Sequence, residues 1–295
     1  MSTSAVAQRA ETASPRARLL AGTSISERRI DAAGISTALI EAGTGPDVVV
    51  LHGPGEYAAG WFEVIDALAA TNRVIAPDLP GHGESAADGD LGVELVVAWL
   101  DDVISSSCAV PPVVVGRVLG GAIAMRHAIA HGDRISRLVL VDTLGLKPFE
   151  PAPPFGEALQ RYLADPTRQT HERLMQYCVH DFDSVRARLG SRWPAYGEYA
   201  VDRLQQPARL ATVGSLMATF GMPEISETAL AGISVPTDLI WGRHDMATPL
   251  SAAESASRAF GWPLHVVEDA ADDPALEQPE AFVGVLRTVI GREQR

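Results

Sequence analysis

Only two cysteines occur in this 295-residue chain, Cys108 and Cys178. They lie in separate segments with no metal-ligand or redox spacing, which excludes a disulfide framework and suits a reducing compartment. Apolar runs long enough to span a bilayer are also missing, so no membrane partner is expected. Positive charge is scarce too: 24 Lys and Arg stand against 37 Asp and Glu, for a formal charge of -13. That balance argues against a nucleic-acid partner, because phosphate binding needs clustered cations. No G-x-G-x-x-G, no P-loop and no metal-ligand cluster is present, so neither cofactor nor metal is implied.

What is there is 46% hydrophobic residues, enough for one large core. Residues 1–22, rich in Ala, Ser, Thr and Arg, read as a disordered tail rather than a secretory signal; a transit peptide is the alternative. The protein is expected in the cytoplasm. Ser24 to Ile40 alternates around Ala33-Gly34, as an edge hairpin does. Apolar runs at 47–51, 73–78, 113–116, 136–142, 236–242 and 264–267 alternate with helical stretches, which predicts a mostly parallel, helix-covered α/β sheet. The alternation stops between 146 and 233, where four prolines precede helical segments bearing Tyr162, Tyr177, Trp193, Tyr196, Tyr199 and Phe220. This reads as a helical cap over a core of 23–145 and 234–295. Its rings either line a pocket for an apolar or aromatic ligand or form the cap's own core. The expected ligand is a small molecule or peptide, and the oligomeric state is left open.

The most informative stretch is Val113-Val-Val-Gly-Arg-Val-Leu-Gly-Gly121, which reads as strand, sharp turn and helix. Its spacing is that of G-x-S-x-G, in which a strained turn projects a hydroxyl over the sheet. Here the central residue is Val118. A valine has no lone pair and forms no acyl intermediate. A β-branched residue at positive φ costs on the order of 1 to 3 kcal/mol, so the turn has either relaxed or is held strained by its surroundings.

This stretch, Leu51-His-Gly53, Asp78-Leu-Pro-Gly-His-Gly-Glu-Ser85, Trp241-Gly-x-x-Asp245-x-x-x-Pro249 and Leu276-Glu-Gln-Pro-Glu-Ala-Phe282 follow one another in register. Together they resemble the α/β-hydrolase superfamily, most closely its capped meta-cleavage-product hydrolase and haloperoxidase-like branches. The resemblance implies an α/β-hydrolase fold and a reaction needing nucleophile, histidine base, orienting acid and oxyanion amides. Asp245 matches the acid. Val118 replaces the nucleophile, and Asp272, in Ala271-Asp272, replaces the histidine of a Gly-His pair. Pro54 falls where the first oxyanion amide is expected, and proline has none. A one-residue shift makes Gly55 the donor, and Leu119 is the expected second.

Two readings of Asp272 stay open: a solvated member of an acidic loop with Asp269 and Asp273, or a pocket carboxylate sharing a proton with Asp245. Gly53, Pro54, Gly55, Val118, Leu119, His180 and Trp193 are the candidate ligand contacts, and Asp245 and Asp272 the candidate catalytic pair. His52, His82 and His244 read as structural, and Ser85 and Ser215 sit in no elbow. The functional expectation is a non-hydrolytic enzyme, an isomerase, epimerase, cyclase or lyase acting on a carbonyl compound, as triad-less relatives in natural-product pathways suggest. The alternatives are a silent ligand- or partner-binding pseudo-hydrolase and a hydrolase working through directly activated water.

Overall fold

The computed structural model describes residues 13–86 and 91–291. Helix α1 (Pro15–Leu20) starts at Ser14, whose hydroxyl accepts the Ala17 N–H at 3.2 Å. This overturns the expected tail over residues 13–22; residues 1–12 lie outside the described set. The cause is long-range. Leu19 is fully buried, and Arg16 pairs with Asp78 at 2.9 Å and Glu27 at 2.9 Å, contacts that the local Ser14-Pro15 start signal does not reveal.

Strands β1 (Ser26–Ala32) and β2 (Ile35–Ala42) form a hairpin with Ala32 opposite Ile35. Its two loop residues, Ala33 and Gly34, both have positive φ, the backbone twist that a two-residue hairpin requires. β3 (Asp47–Leu51), α2 (Phe62–Leu68), β4 (Arg73–Pro77) and α3 (Val93–Ser107) follow. β5 (Val113–Arg117) then leads into α4 (Leu119–His131), and β6 (Arg137–Val141) ends the first half. The chain next runs through α5 (Pro153–Ala164), α6 (Arg168–Cys178), α7 (Phe182–Leu189), α8 (Arg192–Leu204), α9 (Pro207–Leu216) and α10 (Glu227–Ala231). It returns to the sheet as β7 (Thr237–Gly242), α11 (Leu250–Phe260), β8 (Leu264–Val267), α12 (Pro274–Glu277) and α13 (Pro279–Ile290).

The described strands make one eight-stranded sheet ordered β1-β2-β4-β3-β5-β6-β7-β8, antiparallel at β1, β2 and β4 and parallel from β4 onward. Its central strands are apolar on both faces because helices cover both. Val48, Val50, Val113 and Val115 face one layer with α2 and α13; Val49, Leu51, Val114 and Leu140 face the other with α3, α4 and α11. Strand order reverses between β3 and β5, and loops at the carboxyl ends of those strands diverge to leave a crevice.

At that point β5 turns into α4 through three glycines. A Cβ on Gly116 would lie 2.6 Å from the Gly120 carbonyl oxygen, and one on Gly120 would lie 2.7 Å from the His52 carbonyl oxygen. Such clearances leave no room for even a methyl group, so helix and strand touch backbone to backbone. Gly120→Ala is therefore expected to destabilise the protein by about 1–3 kcal/mol, read from its urea midpoint. An unchanged midpoint would contradict this close approach.

Candidate active site

Val118 stands at the turn between β5 and α4 with φ 48° and ψ -108°. Of the two outcomes the sequence left open, the strained one is found. Backbone bonds hold it: the Val118 N–H donates to the Val141 carbonyl at 3.0 Å, and the Val118 carbonyl accepts from Ala122 and Leu144, each at 3.2 Å. Neighbouring elements thus fix a conformation that valine avoids by itself.

Above the turn lies a cavity of about 470 Å³ between the sheet's carboxyl edge and the inserted helices. Val118 and Leu144 contribute to its floor, Pro54 and Gly55 to one side, and α5, α6, α8 and α9 to the rest. The wall is mostly apolar, and no Lys or Arg side chain is among its described lining residues. Of the aromatics in the inserted segment, Phe149, Phe155, Tyr162 and Tyr196 line it. Trp193 instead packs between Phe182 and Tyr196, with Tyr199 buried nearby, and Phe220 packs in the layer against α4.

Beneath the floor is a buried cation that the sequence reading passed over. Strand pleating puts Arg117 on the same face as Val113 and Val115, pointing toward the α2 and α13 layer. There its guanidinium, 2% exposed for the residue, donates to Glu56 and to the Asp272 carbonyl at 2.9 Å. It also lies 3.4 Å from the Asp273 carboxylate and 3.9 Å from that of Asp272. Three carboxylates meet one guanidinium, so the cluster carries excess negative charge. Against the cost of burial, Arg117 and the Gly53 N–H at 3.0 Å hold Glu56 below its ordinary range. Burial outweighs Arg117 at Asp273, which is pushed up to about 6.

Asp272 stands in the cavity wall rather than in solvent, while the hydrogen bonds of Asp245 run to Ala247 and Thr248. Asp272 is 8% exposed, and its N–H donates to the Cys178 carbonyl of α6 at 3.0 Å. Its Oδ1 has no hydrogen-bond partner. Burial, and then the nearby Asp245, push its pKa well above the carboxylate range. Asp245 does not line the cavity. One of its oxygens accepts the N–H groups of Ala247 at 2.7 Å and Thr248 at 2.9 Å, and the other accepts the Thr248 hydroxyl. Burial still raises it to about 6. Asp142, at φ 42° after β6, is a third buried acid that the sequence did not flag. Burial and Asp245 raise it strongly, while its Oδ1 accepts the Gly242 N–H at 2.9 Å.

Four candidate contacts need correction. Gly53 and Leu119 are buried but do not line the cavity. His180 is exposed and stacks on His244 at 3.9 Å between ring centroids. Trp193 is core, as noted above. For His180 and Trp193 the miss reflects side-chain direction, which sequence position does not specify. His52 is structural: Nδ1 pairs with the Gly53 carbonyl at 2.8 Å and Nε2 accepts the Leu79 N–H at 3.0 Å. Ser85 bonds the Asp78 carbonyl at 2.7 Å and Ser215 is exposed, so neither faces the chamber.

Cys178 and His171 both line the cavity, but they are seven residues apart on α6, about 10 Å by helical rise. Burial, and then Asp272, push the Cys178 thiol far up, so it is not a thiolate nucleophile.

The alpha/beta hydrolase family model matches residues 48–285. The chain belongs to this family. Among its relatives, a pimeloyl-[acyl-carrier protein] methyl ester esterase from Chromobacterium violaceum is 32% identical, over 83% of this chain and 94% of that protein. A 2-hydroxy-6-oxo-6-(2'-aminophenyl)hexa-2,4-dienoic acid hydrolase from Metapseudomonas resinovorans is 27% identical, over 90% and 91%. In fold, the chain superposes on the meta-cleavage product hydrolase of Pseudomonas fluorescens with a TM-score of 0.73 at 24% identity, covering 90% of this chain and 98% of that one. These relatives are hydrolases. They overturn the expectation of an isomerase, epimerase, cyclase or lyase, and equally that of a silent pseudo-hydrolase, which rested chiefly on Val118 and Asp272. No helix among the described residues is long and apolar enough to cross a membrane.

Replacing Arg117 tests the charge cluster. Arg117→Met leaves Glu56, Asp272 and Asp273 without their cation, at a cost of about 3–5 kcal/mol at neutral pH. With the cation gone, the folded-state pKa values of Asp272 and Asp273 rise further above their unfolded values, and Glu56 loses the interaction that holds it below its own. Stability contributed by such groups is present in acid and lost as pH rises. Urea midpoints of variant and parent should therefore be closest at mildly acidic pH and separate toward neutrality.

Proposed function

We propose that this alpha/beta hydrolase cleaves an uncharged carboxylic ester in the capped cavity, with water rather than a side chain attacking the carbonyl carbon. The observation that carries the reading is Asp272, with an unpartnered carboxyl oxygen, on the wall of the same cavity as Val118. The hydrolase names of the relatives support hydrolysis as the reaction. Wall charge selects between the two bonds those names describe. A dienoic acid brings a carboxylate that needs a free cation. The described wall offers Glu56 and Asp272 instead, and Arg117 behind it is already engaged by three acids. Cytoplasmic action belongs to the same reading, supported by the two free cysteines.

In the reaction, the ionised Asp272 takes a proton from water as the water oxygen bonds to the carbonyl carbon. The carbonyl electron pair moves onto its oxygen, facing the amide of Gly55 in the cavity wall. When the intermediate collapses, the ester C–O bond breaks and the alkoxide takes the proton from Asp272, releasing acid and alcohol. Burial and Asp245 make Asp272 basic enough to accept that proton, and Arg117 keeps its ionised form accessible.

Medium-chain methyl and p-nitrophenyl esters test the reading. Turnover by the parent protein should show no burst and no labelling by a fluorophosphonate. Its rate should rise with pH through the raised pKa of Asp272, and Asp272→Asn should lower kcat about 10²–10⁴-fold. Loss of the reading follows if the parent is inert toward these esters or if the asparagine variant keeps its rate. Val118→Ser alone should gain no acyl-enzyme, because no imidazole stands where Asp272 does. A stoichiometric adduct detected by mass spectrometry would overturn this.

A further inference from the structure

The cap wall of the cavity carries polar groups that the reaction does not use. Tyr162 on α5 and His171 on α6 both line the cavity, at 5% and 4% exposure, with ring centroids 5.4 Å apart. The Tyr162 hydroxyl and His171 Nδ1 are buried with no hydrogen-bond partner. Tyr57 on the same wall is different, since its hydroxyl donates to the Tyr196 carbonyl at 2.8 Å. A buried polar atom left unpaired costs free energy, and in a cavity wall a ligand can supply the missing partner.

The chemistry of the pair indicates what that partner is. Burial keeps His171 neutral, with its pKa lowered to about 4. Its Nδ1 sits against Gly197, where an added Cβ would lie 3.2 Å away. A buried N–H without an acceptor is rarer than a bare lone pair, which assigns the ring proton to Nε2. Tyr162 keeps its proton as well, burial having raised its pKa above the ordinary phenol range. Two neutral donors thus stand side by side.

We propose that Tyr162 and His171 form a second polar subsite, which takes a hydrogen-bond-accepting oxygen of the substrate, such as a ketone or ether, remote from the ester being hydrolysed. This rests on the reading that the cavity holds an ester. His171 is two helical turns from Cys178, whose carbonyl accepts the Asp272 N–H, so subsite and carboxylate are separated by on the order of 10 Å. The substrate class is therefore an apolar ester with a neutral oxygen function toward the far end of its chain.

Methyl 7-oxodecanoate and methyl 9-oxodecanoate, compared with methyl decanoate, test the subsite by calorimetric binding and by turnover. At least one keto ester should bind about tenfold more tightly than the plain ester, the gain expected of one or two buried neutral hydrogen bonds. Tyr162→Phe and His171→Phe should each erase most of that preference, so that each variant binds the keto esters no more tightly than it binds methyl decanoate. The proposal fails if the parent binds all three esters alike, or if both variants keep the preference. Preference without hydrolysis would leave the subsite standing and remove the reaction; hydrolysis without preference would do the reverse.

Discussion

A guanidinium that keeps its proton at any physiological pH sits under the cavity floor, and the surrounding loops are arranged to meet its charge. Glu56 comes from the loop after β3, and Asp272 and Asp273 from the loop after β8. Each of these loops carries part of the site: Pro54 and Gly55 on one side, the cavity-facing carboxylate on the other. Arg117 therefore anchors two loops that the sheet itself leaves free, and it acts from the residue immediately before the strained Val118. Burying one cation among several acids is costly, and the arrangement persists because each partner is itself held by backbone. Gly53 donates to Glu56, and Leu276 donates to Asp273 at 3.1 Å.

The same cluster accounts for the charge state of the cavity. An acid-rich wall with its single nearby arginine engaged is a poor receptor for anions. Its apolar volume of about 470 Å³ suits a medium-sized neutral molecule. Asp142, Asp245 and Asp272 extend this acidity behind the floor, each pushed upward chiefly by burial. Asp245 accepts from Ala247 and Thr248, so the acid matched to the family's orienting position closes its own turn here. Backbone bonds maintain the elbow and the acid turn, so their geometry does not depend on contacts between catalytic side chains.

Much of the fold was legible in the chain. Alternating apolar strands and helices pointed to the parallel sheet, Ala33-Gly34 marked the hairpin, and the motifs in register carried the resemblance to the family. Asp272 could be named as a candidate from its place before Leu276-Glu-Gln-Pro279. The reaction class was not legible. Reading two replaced residues as loss of hydrolysis gave the wrong class, and whole-chain similarity to hydrolases corrected it.

Local periodicity, glycine placement and motif order depend on residues close in sequence, so the chain alone determined its strands and its elbow. Side-chain direction and charge pairing depend on residues far apart. Tertiary structure therefore decided that Asp272 faces the cavity, that His180 and Trp193 do not, and that Arg16 ties the N-terminal helix to Asp78, 62 residues away. It also decided that Arg117, one more residue of a turn in the sequence, is the cation around which the site's acids gather.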